Sequence, residues 1–216
     1  MLTLTDLTLS LPRTPATPLV RLTASVAAGE VLTIMGSSGA GKSTLLSALI
    51  GALDPAFTQT GRITLNGQDI TGLPTADRHI GILFQDDILF PHLSVAGNLA
   101  FALPRRPGQT SAARAQVIED GLAEMDLAGA GPRDPATLSG GQRARVALLR
   151  ALLAQPKALL LDEAFSRLDT TLRGQIRRLV FDKARSLPVI MVTHDAEDAR
   201  AAKGRVVTPL GEMVAV

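Results

Sequence analysis

The chain has 216 residues, of which 46% are hydrophobic, with a formal net charge of +2 and no cysteine. This length and apolar content suit one substantial folded domain, or a core with a smaller lobe, and exclude a disordered chain. The charge balance and the lack of a basic stripe interleaved with aromatics speak against a nucleic-acid partner, and the missing cysteine excludes disulfides and cysteine-based zinc sites.

The N-terminus, MLTLTDLTLSLPR, lacks the basic start and continuous apolar run of a secretory signal. No apolar segment approaches the roughly 20 residues that cross a bilayer, so the expectation is a soluble, cytoplasmic protein. Alternation of Leu7, Leu9 and Leu11, and then of Val20, Leu22, Ala24 and Val26, predicts two half-buried strands. Val31 to Met35 is a short apolar strand entering a glycine-rich turn, and Lys42 to Ile50 reads as a helix stopped at Gly51. Ile63 to Leu65 ends at Asn66-Gly67, a strong hairpin signal, and Ile80 to Phe84 reads as a further buried strand.

From about residue 90 to 155 the pattern becomes helical, broken by Pro/Gly stretches at 104–108 and 129–135. Ile118, Leu122 and Met125 fall on one helical face. Apolar strands at Ala158 to Leu161 and Val189 to Val192 flank a helix marked by Leu172, Ile176 and Leu179. Strand-helix-strand order of this kind implies a parallel sheet with right-handed crossovers. The N-terminal and C-terminal strands are expected to be antiparallel, with RVVTPLGEMVAV forming a hairpin-like edge of the core sheet.

Residues 36 to 44, GSSGAGKST, match the phosphate-loop pattern G-x-x-x-x-G-K-[ST] between a predicted strand and a predicted helix. Gly36, Ser37, Ser38, Gly39, Ala40 and Gly41 would turn backbone N–H groups onto phosphate oxygens, with Thr44 in the first helical turn. Lys42 would reach the terminal phosphates and the Ser43 hydroxyl would bind Mg²⁺. In ALLLDEAF, a buried strand presents Asp162 and Glu163 at its carboxyl end. Alternation along the strand would point them apart, Asp162 to hold Mg²⁺ and Glu163 to polarise a water. Taken alone, such a strand end reads as a solvated terminus; beside a phosphate loop it reads as a metal ligand and a base.

LSGGQRAR at 138–145 is a second place where a serine and a glycine pair open a helix, here with no lysine after the glycines. GSSGAGKST, Gln85, LSGGQ at 138–142, LLLDE at 159–163, SRLD at 166–169 and His194 occur in the order that identifies the chain as resembling ATP-binding cassette (ABC) transporter ATPases. The resemblance covers nearly the whole chain. LFPHLSVAGNLAF, after Gln85, is similar to bacterial importer subunits for small solutes. No Asn-Lys-x-Asp guanine-recognition sequence supports a GTPase.

The resemblance implies an α/β fold: a P-loop NTPase core with a mixed, largely parallel sheet, an N-terminal antiparallel β subdomain and an inserted helical subdomain. The core would comprise residues 1–86 and 156–216, and the helical subdomain 87–155. It implies that Gln85 approaches Mg²⁺ and the water, and that His194 contacts the γ-phosphate. Ser139, Gly140, Gly141, Gln142 and Asp169 would act in trans, from a second copy of the chain in a head-to-tail dimer. Asp169 would also cap the helix that follows it. ATP and Mg²⁺ are the implied cofactors. The implied partners are transmembrane permease subunits and, indirectly, a periplasmic solute-binding protein, with the chain peripheral on the cytoplasmic face of the inner membrane. Three alternatives stay open: an export or cell-division ATPase, a soluble cassette ATPase of DNA repair or translation, and a nucleotide binder without turnover.

Two departures from the family pattern matter. The family stacks adenine on an N-terminal aromatic, but this chain has no Tyr or Trp and its first Phe is Phe57, which leaves Leu11 or Pro12 in that place and ATP-over-GTP selectivity open. Ala164 stands where relatives commonly have proline, which loosens the backbone after Glu163. Arg143, Arg145 and Arg150 are expected to form a solvated or interface face, and His79 and His92 carry no assigned role.

Overall fold

β1 (Leu2–Ser10) and β2 (Val20–Val26) pair antiparallel in a four-stranded sheet with the order β2-β1-β4-β5. The structure is a computed structural model describing residues 1–11 and 17–216. Leu2, Leu4, Leu7 and Leu9 are all fully buried although Leu4 and Leu7 are three residues apart. A bulge between them resets the alternation, with Asp6 at φ 47°. Gly61 makes room for it, because a Cβ there would lie 2.3 Å from the Asp6 carbonyl oxygen.

β3 (Val31–Met35) leads through the glycine-rich loop into α1 (Lys42–Ile50), which ends on Gly51 in the left-handed conformation. β4 (Thr58–Leu65) turns at Asn66 and Gly67, both with positive φ as a tight hairpin requires, into β5 (Gln68–Asp69). A 3₁₀ turn at Thr75–Asp77 precedes β6 (Ile80–Leu83), which is partly rather than fully buried. Arg78 closes the far end of α1. It is buried and donates to the carbonyls of Ala48 at 2.8 Å and Leu49 at 3.0 Å, so its cation faces the negative end of the helix that follows the glycine loop.

Three helices follow. α2 (Val95–Ala102) is capped by Ser94 and α3 (Ser111–Glu124) by Thr110, while α4 (Gly140–Leu153) starts at Ser139. Ile118, Leu122 and Met125 are buried, as their spacing predicts. β7 (Ala158–Asp162), α5 (Thr170–Lys183), β8 (Val189–Thr193), α6 (Ala196–Ala202) and β9 (Arg205–Val207) complete the chain.

The second sheet has the order β6-β7-β8-β3-β9, with parallel pairing of β7 with β8, β8 with β3, and β3 with β9. The C-terminal strand thus departs from the antiparallel expectation. α6 carries the chain back, so β9 enters at the sheet edge beside β3 in the same direction, while the residues after it fold back antiparallel as the hairpin-like tail predicts, with a bridge between Val207 and Met213 and the Val214 N–H donating to the Val206 carbonyl at 2.9 Å.

The chain divides into two compact units. One comprises Met1–Ile82, Lys157–Glu163 and Phe181–Val216; it holds both sheets and α1. The other comprises Leu83–Pro156 and Ala164–Val180; it holds α2, α3, α4 and most of α5. Residues 83–86, 156 and 164–180 thereby join the helical unit. Among the described residues no helix is long and apolar enough to cross a membrane.

Candidate functional site

In the unit that carries the sheets, the loop from Gly36 to Gly41 leaves the carboxyl end of β3 and opens directly into α1. Gly41 is the N-cap at φ 92°, and a Cβ on it would lie 2.7 Å from Leu19 Cγ, so this residue must be glycine on two counts. No side chain caps the first turn of α1, and no acidic residue lies in it. The start of α1 therefore keeps its positive potential for an anion. Lys42 is only 7% exposed, and its ammonium donates to the carbonyls of Gly36 at 2.8 Å and Ser37 at 2.9 Å. The loop thus holds its own cation in place until a stronger acceptor, such as a phosphate, competes for it.

β7 and β8 bring the remaining groups to the same end of the parallel sheet. Asp162 closes β7, and its carboxyl is pushed above the usual range first by burial and then by the charge of Glu163, while Lys42 pulls it down. The pull of Lys42 places the ammonium within electrostatic reach of this carboxylate. Strand alternation does not govern Glu163, because β7 ends at Asp162. Glu163 lies beyond the strand at φ 48°, a left-handed backbone that is uncommon outside glycine, with its N–H donating to the Val192 carbonyl at 3.0 Å. A proline after it would favour an extended backbone at Glu163; Ala164 leaves this conformation accessible. Glu163 Oε1 lies 3.2 Å from His194 Nδ1, which couples the candidate base to the candidate phosphate contact.

The turn carrying His194 is fixed by neighbours that sequence reasoning passed over. The Thr193 hydroxyl accepts from the Asp195 N–H at 3.0 Å and donates to buried Asp198 at 3.4 Å, and Asp195 caps α6 through the Glu197 N–H at 2.7 Å. The string T-H-D-A-E-D carried the signal, since Asp195 stands at a helix start.

Ser43 and Asp162 offer a hydroxyl and a carboxylate, the oxygen donors suited to Mg²⁺. Burial first and the neighbouring Glu163 second disfavour the charged form of Asp162, and a divalent cation bound beside it would offset both. Two protein ligands, with the rest from phosphate and water, match the way Mg²⁺ is held beside nucleotides.

Gln85, Ser139, Gly140, Gly141, Gln142 and Asp169 lie in the helical unit. Ser139 and Gln142 form a capping box: the Ser139 hydroxyl accepts from the Gln142 N–H at 3.3 Å, and the Gln142 side chain accepts from the Ser139 N–H at 3.1 Å. The glycines divide their work. A Cβ on Gly141 would lie 2.6 Å from Leu172 Cδ1, whereas one on Gly140 would meet nothing closer than Arg143 Nη2 at 3.9 Å. Asp169 accepts from the Leu172 N–H at 3.0 Å and so caps α5, as its position predicts.

The three arginines of α4 do not form a solvated face. Arg143 bonds Asp87 and the Leu138 carbonyl, Arg145 bonds Asp126 and the Met125 carbonyl, and Arg150 is half-buried over the Phe90 ring. Apart from the Leu138 carbonyl, five residues before Arg143, their partners are distant in sequence, so no local pattern announced them. Burial holds the Asp87 carboxyl above its usual range in spite of Arg143. Of the two candidates for the base platform, Leu11 follows β1 and is 43% exposed, while Pro12 lies outside the described residues.

Residues 19–166 match the family model described as ABC transporter. The chain is 54% identical over 203 residues to the ABC transporter ATP-binding protein YnjD of Escherichia coli, covering 93% of this chain and 92% of that protein. It is 43% identical to the thiamine import ATP-binding protein ThiQ of Jannaschia sp., with 88% and 87% of the two chains covered. It is 39% identical to the Fe(3+) ions import ATP-binding protein FbpC of Agrobacterium fabrum over 86% of this chain, but spans only 52% of that longer relative.

Proposed function

Because the chain belongs to the ABC transporter family, we propose that it is the ATP-hydrolysing subunit of a bacterial importer for a small solute. It would work from the cytoplasmic face of the membrane on separate permease subunits, with a periplasmic binding protein delivering the solute. Relatives named as import ATP-binding proteins for thiamine and Fe(3+) support the importer reading. The observation that carries the hydrolytic reading is the gathering of Lys42, Asp162, Glu163 and His194 at the carboxyl ends of β3, β7 and β8.

The residues take the following roles. The glycine loop and the start of α1 bind the phosphates, and Lys42 exchanges the carbonyls of Gly36 and Ser37 for phosphate oxygens. Ser43 and Asp162 would hold Mg²⁺, which would neutralise charge on the transferring phosphoryl group, and by the family resemblance Gln85 would approach it as well. Glu163 orients and polarises the attacking water, and His194 holds Glu163 and the γ-phosphate in register. The capped start of α4, with Ser139, Gly140, Gly141 and Gln142, closes over the nucleotide of a second copy, and the Asp169 loop lines the same interface. Catalysis of this kind is mostly positioning and electrostatics.

Purified protein should hydrolyse ATP with a specific activity that rises with its own concentration. A flat dependence, with a monomer by light scattering, would contradict the shared site. Glu163→Gln should keep ATP affinity, lose turnover by about 10²-fold or more and trap a nucleotide-bound dimer. Turnover at the unmodified rate would remove Glu163 from the role of base.

A further inference from the structure

The segment that follows Gln85 is held more tightly than a surface loop of its length requires. Ile88 has φ 42°, a genuine outlier for a β-branched residue, and its side chain is 53% exposed, so no apolar packing rewards that backbone. Such a conformation persists only where the surroundings over-determine it. Here they do so from both sides. Buried Asn98 takes the Phe90 N–H at 2.8 Å and donates to the Phe90 carbonyl at 3.1 Å. Arg150 donates to the Asp87 carbonyl at 3.3 Å and to Asn98 at 3.3 Å, and its guanidinium lies 5.4 Å from the Phe90 ring centre.

Arg143 reaches the same segment from one face of α4, because positions 143 and 150 are seven residues, or two turns, apart. Its Nε lies 3.3 Å from the Asp87 carboxylate, and its Nη1 donates to the Leu138 carbonyl at 2.8 Å. Leu138 immediately precedes the Ser139 cap. One planar guanidinium therefore bridges the segment after Gln85 and the residue before the capping box. A cavity of about 470 Å³ opens among Gln85, Asp87, Gly140, Arg143, Ala164 and Leu168.

We infer that Arg143, with Asp87 as its partner, is a positioning residue that locks the Gln85 segment to the start of α4, so that Gln85 and Ser139–Gly141 adopt one joint arrangement. The inference rests on the proposed ATPase reading, in which both elements meet nucleotide. Lysine cannot replace Arg143, since a single ammonium lacks the two-pronged geometry that serves Asp87 and Leu138 together.

The experiment is a double-mutant cycle on the full chain with Asp87→Asn and Arg143→Gln, and Arg143→Lys as the conservative control. Each single change should lower kcat about tenfold and leave the KM for ATP within about twofold, because Lys42 and its loop are untouched. The double variant should be no slower than either single one, and Arg143→Lys should not restore the rate. Single variants that turn over like the parent, or losses that multiply in the double variant, would overturn the lock.

Hydrogen exchange gives a readout that does not need turnover. Either substitution should speed exchange in both 84–91 and 138–146; loosening confined to the segment that carries the change would overturn the proposal. If the parent protein hydrolyses no ATP, the ATPase reading fails, and the exchange result still decides the lock. If Asp87→Asn does not fold, Arg143→Gln carries the same exchange test.

Discussion

α1 and α4 both begin where a serine- and glycine-containing stretch turns into a helix, yet the two starts are finished in opposite ways. The start of α1 has a glycine cap at φ 92°, no side-chain cap and a lysine folded onto its own loop carbonyls. The start of α4 is closed by a reciprocal capping box, and Arg143 in its first turn bonds Asp87 and Leu138 instead. The first keeps its amides and its cation for a ligand. The second uses its polar side chains to terminate the helix, and offers an anion held elsewhere its backbone potential, the open face of Gly140 and the O–H of Ser139, which in the cap only accepts. The proposed sharing of one site between two copies would use that division, and it can be tested from either side.

The largest expected effect is on the first start. Lys42→Ala should weaken ATP binding about a hundredfold, or about 2.7 kcal/mol, in calorimetry; unchanged affinity would end the contrast. Next comes the glycine pair of the second start. Gly141→Ala should cost about 1–3 kcal/mol in denaturant unfolding through its clash with Leu172, while Gly140→Ala should leave stability unchanged or raise it by up to about 1 kcal/mol. Equal costs would show that the two glycines do not divide their roles. Ser139→Ala should remove about 1 kcal/mol through the lost cap, measured in the same way.

The smallest effect concerns pH at the first site. Burial first and Glu163 second raise the Asp162 carboxyl above its ordinary range, against Lys42. The folded state therefore holds that proton more tightly than the unfolded chain, and stability is lost as pH rises from the ordinary carboxylate value through the raised one. Without nucleotide, Asp162→Asn should raise the thermal midpoint at neutral pH by about 1–2 °C and change little below the ordinary carboxylate range. A gain that persisted in acid would point to packing rather than charge.

Much of the fold was legible because local periodicity and local caps decide it. Val20–Val26, Val31–Met35 and Lys42–Ile50 have the bounds that their patterns predict, and Gly51 stops its helix by adopting a left-handed backbone. The pattern was less complete where tertiary packing chose among apolar residues. In α5, Ile176 and Val180 are buried, while Leu172 and Leu179 are partly exposed. Leu172 is drawn toward Gly141, a contact that no spacing within α5 announces. The bulge at Asp6 was hidden in the same way, since the phase change between Leu4 and Leu7 depends on Gly61 across the sheet.

The sequence alone determined the chemistry on offer: a phosphate loop, a strand ending in two carboxylates, a histidine after a strand and a second glycine-led helix start. Each is a short run whose residue types and order fix its local backbone. Only the tertiary structure decided what these groups touch. It turned Glu163 to φ 48° beside His194, raised the Asp162 carboxyl and laid β9 parallel to β3. It also made Arg143 a bridge rather than a surface charge. Those outcomes depend largely on partners far away in the chain, such as His194 for Glu163 and Asp87 for Arg143, and burial and ion pairing are properties of the neighbours that folding supplies.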